Sequence, residues 1–358
     1  MVSDIYYRLR ERMNEYSVGF RATESGIELK LLEKLFTEEE AAMYLNLTDN
    51  LQTAKDIAEK TGQDPAEVEE ILQRMTEKGQ TFPRFPKKEG EPFYYAAAPF
   101  AHGLLEHQVK RLDKETAELF DQYHRAVSGV FATKPVIPLR TLPVNTALTP
   151  NQVIASYDDL KKIIANMNRI ALAPCVCNEM QRQLGKTCDQ PTEVCMMFGF
   201  YADYYIARGM GRPISNEEAL RKLDECQKAG LIPQISNSEK PEALCNCCPD
   251  CCGGLRAIKR FPKPGLMVGS NYFAQVDTGL CTGCGSCVDR CFTGAIAMGK
   301  EETAEINLER CVGCGVCVST CPVEALSLAR KPEDTITVPP QKGLFMKSSE
   351  EFEDQVKQ

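Results

Sequence analysis

Two runs near the C-terminus, CTGCGSCVDRC and CVGCGVCVSTCP, carry thiols at one repeated spacing. The first supplies Cys281, Cys284, Cys287 and Cys291. The second supplies Cys311, Cys314, Cys317 and Cys321, followed by Pro322. Both read C-x2-C-x2-C-x3-C. A [4Fe–4S] cube takes a thiolate at each of its irons. Three cysteines on one tight loop let the chain curl round a face of such a cube. Gly283, Gly285, Gly313 and Gly315 permit the close backbone approach. Four cysteines also suit tetrahedral zinc, although zinc ribbons use two separated C-x2-C pairs rather than one run.

The doubled motif resembles the two-cluster bacterial ferredoxins, over about residues 270–330. The resemblance implies a crossed ligand assignment. Cys281, Cys284, Cys287 and Cys321 would hold one cube, and Cys311, Cys314, Cys317 and Cys291 the other. The fourth cysteine of each run would start a helix that leads away. An apolar turn follows each run, GAIA at 294–297 and VEAL at 323–326. Phe292 stands where the second repeat has Pro322, a departure that removes no ligand.

The chain has 18 cysteines, so ten lie outside these eight. Cys175, Cys177, Cys188 and Cys195 form C-x-C-x10-C-x6-C, read here as one four-ligand set. The first pair follows a short apolar strand over 169–173. Cys195 is expected on a helix starting near Pro191. LCNCCPDCCGGL then packs Cys245, Cys247, Cys248, Cys251 and Cys252 into eight residues. Adjacent cysteines rarely bridge each other, because a disulfide needs a particular separation and dihedral. Three readings of this run stay open. One is a local cluster, with Gly253 and Gly254 giving room to turn. Another is a site shared with Cys175 and Cys177, leaving a redox-active thiol pair. The third is a structural zinc knot. Cys226, alone in a helical stretch, reads as a small buried hydrophobe.

The order of segments is similar to that of cysteine-rich iron–sulfur proteins of anaerobes: a winged-helix-like start, PCxC…CDxP…C, CxCCxxCC, then the ferredoxin end. That resemblance implies electron transfer through [4Fe–4S] clusters, two at the C-terminus and one or two more in the middle, with zinc an alternative there. It implies no single substrate.

No cysteine precedes Cys175, so the first half must fold by ordinary hydrophobic packing. Apolar residues at helical spacing predict helices over 4–16, 27–36 and from Thr37 onward, the last with Glu38, Glu39 and Glu40 in its first turn. Ala54 to Lys60 is a short helix. Asp64 and Pro65 open another, with Glu67 completing a capping box. Two short strands then flank Lys88-Glu89-Gly90. Helix, helix and hairpin resemble a winged helix over about residues 30–98. Its second helix, 64–78, carries five acidic residues against Arg74 and Lys78, which phosphates would repel. The net charge of −8 points the same way. Nucleic acid is therefore disfavoured as partner, and a protein-binding or homodimerising role is favoured.

The expected fold class is α+β. The expected organisation is a helical domain at 1–130, a Pro-rich linker at 131–150, a cysteine-rich domain at 151–260, a second linker (FPKPG) leading to a ferredoxin-like domain at 266–330, and a polar tail at 331–358. A helix is read over 151–168 and a capped one over 215–230. With no apolar run of about 18 residues and no signal core, the reading is cytoplasmic. Thiols there serve as metal or redox ligands. The three histidines, His102, His107 and His124, read as surface residues, and no P-loop or dinucleotide fingerprint stands out. The expected function is an electron-carrying subunit of an oxidoreductase, partnered by other redox subunits, with no catalytic acid, base or nucleophile. The rival readings are a redox-sensing transcription regulator and a reductase acting on a small acceptor at Cys245–Cys252.

Overall fold

The computed structural model describes residues 2–86, 88–128, 138–144, 147 and 154–341. Helix and sheet are both present, as an α+β chain requires. Most of the Pro-rich stretch and of the polar tail lies outside the described residues, as do Lys87 and residues 151–153.

The chain begins with α1 (Asp4–Asn14), α2 (Ile27–Leu35), α3 (Glu38–Tyr44), α4 (Ala54–Thr61) and α5 (Pro65–Glu77). A hairpin follows, β1 (Thr81–Arg84) against β2 (Tyr94–Ala97). Thr37 and Glu40 form a reciprocal capping box on α3. Asp64 caps α5 by accepting from the N–H groups of Ala66 and Glu67, so Glu67 joins as a backbone donor rather than through its carboxylate. Phe82 of β1 is fully buried, 4.5 Å from the ring of Tyr201 and 5.0 Å from that of Tyr204. The hairpin thus packs inward, against α9 (Gly199–Ala207). After β2 the chain makes a tight turn over Phe100–Leu104, in which His102 has a left-handed φ of 54°. Then comes α6 (Lys114–Val127).

The centre is a six-stranded antiparallel sheet. Its strands are β3 (Leu139–Thr141), β4 (Ile170–Pro174), β5 (Glu193–Phe198), β6 (Arg212–Ile214), β7 (Ile232–Ser236) and β8 (Ala243–Cys247), in the order β3-β7-β8-β5-β4-β6. Side chains alternate across it. Leu172, Met196, Phe198 and Leu244 pack with Leu160 and Ile164 of α7 (Leu160–Ala165) and with Ala219 and Leu223 of α10 (Asn216–Lys228). Ala171, Ala173, Cys195 and Met197 face the other way, toward the helical half and α8 (Val176–Gln183). Three readings of the sequence change. Cys195 sits in β5, where β-branched and flexible apolar residues pair on both sides, and not on a helix near Pro191. Of the helix read over 151–168, the described residues form α-helix at Leu160–Ala165, opened by Asp159 as cap. Leu139–Thr141, inside the stretch read as a linker, is an edge strand of the sheet.

Beyond α11 (Gly253–Arg260), β9 (Tyr272–Val276) pairs with β12 (Leu326–Arg330), and β10 (Ile296–Met298) pairs with β11 (Ala304–Ile306). The short α12 (Ser286–Arg290) lies between. Arg140 of β3 ties this end to the sheet. It is 1% exposed and donates to Asp158 at 2.8 Å, and Asp158 also accepts from Asn271 at 2.9 Å. Among the described residues, no helix is long and apolar enough to cross a membrane.

Two stability measurements follow. Removing one member of a buried ion pair leaves an uncompensated charge, so Asp158→Ala should lower unfolding free energy by about 3–5 kcal/mol, read by urea titration. An unchanged midpoint would remove the pair from the account. Glu40 is fully buried. Burial pushes its carboxyl up, but Lys78 at 2.6 Å, the Thr37 N–H and Gln80 outweigh it and hold the carboxyl below its ordinary value. Its contribution is therefore full above the unfolded carboxylate pKa of about 4.3 and fades as pH falls through the lower folded value. Glu40→Gln should flatten the acid limb of a melting-temperature profile.

Candidate metal centres

Seventeen of the cysteines fall into four groups, and the backbone explains each. At the C-terminus, Cys281, Cys284 and Cys287 border one small cavity together with Cys321. Cys311, Cys314 and Cys317 border another together with Cys291. Each group therefore draws one thiol from the opposite run. The β9–β12 ladder spans the two repeats and holds them together. Gly313 has a left-handed φ of 65°, and a Cβ there would lie 2.2 Å from the Tyr272 carbonyl oxygen. Gly283, φ 69°, has the same relation to the Glu302 carbonyl at 2.3 Å. No other residue type fits either place.

The helix expected to begin at each fourth cysteine instead ends there. α12 closes before Cys291, and a single 3-10 turn (Val318–Thr320) closes before Cys321. Gly294 and Glu324 then turn the chain through left-handed φ of 64° and 52°. That reversal aims the Ala295 N–H at the Cys291 sulfur, 3.2 Å, and the Ala325 N–H at the Cys321 sulfur, 3.3 Å. The Ala274 N–H reaches Cys311 at 3.4 Å. Such donors stabilise thiolate charge and tune a bound cluster.

The two groups differ in exposure. Cys284 is exposed, and the Ser286 hydroxyl and N–H hold its thiol below the ordinary range. Leu280, Met298 and Val323 are exposed in the same domain, the last two bordering the same cavity. In the other group, burial raises Cys311 and Cys317 and pushes Cys314 up to about 12.

The middle cysteines regroup relative to the sequence reading. Cys175, Cys177, Cys195, Cys245, Cys247 and Cys252 form a closed ring, in which each thiol is hydrogen-bonded to two others. Sheet register begins it. Cys195 of β5 stands directly opposite Cys245 of β8, and Cys247 lies two residues along the same face. Cys175 and Cys252 occupy the residues just before α8 and α11, and Cys177 lies in the first turn of α8. Both helix N-termini therefore point their partial positive charge at sulfur. Asp121 of α6 fixes the pair, accepting from Arg256 of α11 at 2.9 Å and Gln181 of α8 at 3.3 Å. Hydrogen bonds from Cys195, Cys247 and His102 hold the Cys245 thiol low despite burial, and those from Cys177 and Cys247 do so for Cys252.

Cys188 is not in this ring. It lies with Cys248 and Cys251, so the four-ligand set read from 175–195 is divided. The strand placement of Cys195 causes the division: it turns that thiol toward β8, while Cys188 hangs from the α8–β5 connection. Cys226 is fully buried in α10, and burial pushes its thiol up to about 12.

The histidines correct the surface reading. His102 and His107 are buried, at 9% and 4% exposure, and His124 is half-buried. Packing of the helical half on the sheet brings them inside, which single-helix periodicity could not reveal. The ring borders a cavity of about 230 Å³, also lined by His102, Glu106, His124, Tyr201 and Tyr205. The Tyr201 hydroxyl and His124 Nδ1 are buried there with no protein partner. None of these five drew attention in the sequence as site residues. The only signal is the pair Tyr201 and Tyr205, four apart on a helix.

The ring also adjoins the C-terminal groups. Cys247 shares an apolar cluster with Cys287, Cys311 and Cys317, and Pro249 borders the cavity of Cys291, Cys311, Cys314 and Cys317.

Residues 274–328 match the family model described as 4Fe-4S dicluster domain. No curated protein and no solved structure matches the chain. The matched segment and the grouped thiols together support an iron–sulfur electron-transfer protein of ferredoxin type.

Gly313→Ala tests the C-terminal geometry. It should cost one cube, about 4 Fe per chain, because the loop can no longer approach. Iron and acid-labile sulfide assays on anaerobically purified protein read this directly, and full iron content would refute it.

Proposed function

We propose that the protein is an electron-carrying component of an oxidoreductase, in which three groups of thiols form one path. The interior group, Cys291, Cys311, Cys314 and Cys317, holds one [4Fe–4S] cube. The surface group, Cys281, Cys284, Cys287 and Cys321, holds the second. The six-thiol ring holds a further iron–sulfur group. The observation that carries this reading is contiguity: the ring's loop borders the interior cavity, and the surface group ends at exposed Cys284. The donor sets fit the assignment. They are soft thiolates with N–H groups aimed at sulfur, the environment iron–sulfur clusters need. When bound, the clusters supply one-electron chemistry. The chain's own residues bury them, set their charge environment and keep them adjacent.

The helical half serves as a partner-binding domain in this reading, with a winged-helix-like element built from α4, α5, β1 and β2. Two features favour protein over nucleic acid. Arg74 and Lys78, the basic residues of the second helix, are engaged by Glu39 and Glu40. Strand β1 of the supposed wing is committed to the aromatic cluster on α9.

A second reading has its own observation. The 230 Å³ cavity beside the ring is large enough for a small molecule, and its lining includes the Tyr201 hydroxyl, buried without a protein partner, and His102. Under it, the ring delivers electrons to a small acceptor, and Tyr201 orients that acceptor or supplies a proton.

Iron per chain decides between a two-cluster carrier and the longer path. Two cubes account for about 8 Fe, and the proposed path requires more. Cys247→Ser should lower iron while leaving the EPR signals of the two C-terminal cubes. A count of about 8 Fe that Cys247→Ser does not change would rule out iron in the ring. Tyr201→Phe addresses the second reading. It should slow reduction of small acceptors by an artificial donor at unchanged iron content, and an unaltered rate would leave the carrier role alone.

A further inference from the structure

Cys188, Cys248 and Cys251 stand apart from the ring and from both C-terminal groups. Their sulfurs all lie within 4.8 Å of one another, and those of Cys188 and Cys248 are 3.8 Å apart. Cys248 and Cys251 are buried, and Cys188 is half-buried. We propose that these three thiols hold a single zinc ion, with its fourth position open to a water molecule.

Three observations carry this. The first is spacing. Tetrahedral zinc with bonds of about 2.3 Å sets its sulfurs about 3.8 Å apart, which is the Cys188–Cys248 separation. The second is number. Only three candidate ligands gather here among the described residues, whereas a cube takes a thiolate at each of its four irons. The third is preparation for charge. Asn178 of α8, 3% exposed, donates from Nδ2 to the Cys251 sulfur at 3.7 Å. The other end of that amide, Oδ1, is buried without a protein partner. A zinc-bound water is a donor suited to it.

The site would act on its neighbours. Cys247 and Cys252, which flank Cys248 and Cys251, belong to the ring. A zinc ion would fasten the β8–α11 turn to the α8–β5 connection, and so fix the strand and helix ends from which ring thiols project. The inference does not depend on what the ring binds.

The test uses the full chain, purified anaerobically from zinc-supplemented medium and passed over a chelating resin. Zinc should remain at about one per chain, and X-ray absorption at the zinc edge should show three sulfurs at about 2.3 Å with one lighter ligand. Cys188→Ser should lose the zinc and keep its iron, whereas Cys226→Ser should keep both. Should Cys188→Ser fail to fold, cadmium exchange into the unmodified chain replaces it. Cadmium should displace the zinc and give a thiolate-to-metal ultraviolet band at unchanged iron. Zinc retained by Cys188→Ser would place the ion elsewhere. Zinc absent throughout, with iron lost in Cys188→Ser, would assign the three thiols to an iron–sulfur cluster. Either result overturns the proposal. Failure of the iron count above would leave it standing.

Discussion

The middle of this molecule depends on one antiparallel register, the pairing of Cys195 with Cys245. Side chains in a strand alternate between faces, so a slip of one residue would carry both thiols to the opposite side. They would then point at α7 and α10 and the apolar packing there. The register is held from that side by Met196 and Leu244, which are fully buried against those helices. Ordinary hydrophobic packing on one face thus sets the geometry of sulfur on the other. The helices α8 and α11 then bring the remaining ring thiols from their N-termini.

The same alternation explains how five cysteines within eight residues can all be used. Cys247 ends a strand and Cys252 precedes a helix, and both turn to the ring. Cys248 and Cys251, one residue inward on the intervening turn, face Cys188. Adjacent cysteines do not compete for one site, because the backbone sends neighbours in different directions. Electrostatics enforces the same separation. Buried thiolates repel each other in a low dielectric, and uncompensated negative charge there is costly. The molecule meets this with helix N-termini, N–H donors and His102.

Much of the C-terminal end was legible in the sequence, since four thiols at fixed short spacings leave little conformational freedom. The glycines at 283 and 313 were legible for the same reason, as places where a backbone carbonyl passes close. The direction of the helices around Cys291 and Cys321 was not, because it depends on left-handed turns at Gly294 and Glu324, and glutamate gives no sign of one. In the middle, the thiols were legible but their grouping was not. Cys188 and Cys195 are seven residues apart and separate because one is in a loop and the other in a strand. The strand run EVCMMF resembles a helix segment when read alone, and one of its two partner strands, β8, lies about 50 residues away. Arg140 and the buried histidines were missed for a related reason. Their burial is created by contact between halves of the chain, which local periodicity does not encode.

Exposed Cys284 gives the chain an order of failure. The interior thiols lie behind packed side chains, whereas this one meets solvent, hydrogen-bonded toward its reactive thiolate form. Oxidation of cysteine follows thiolate character and access. On the path proposed above, damage would begin at this outer end. On that path, an injured molecule would be cut off from its partner before its deeper centres are touched.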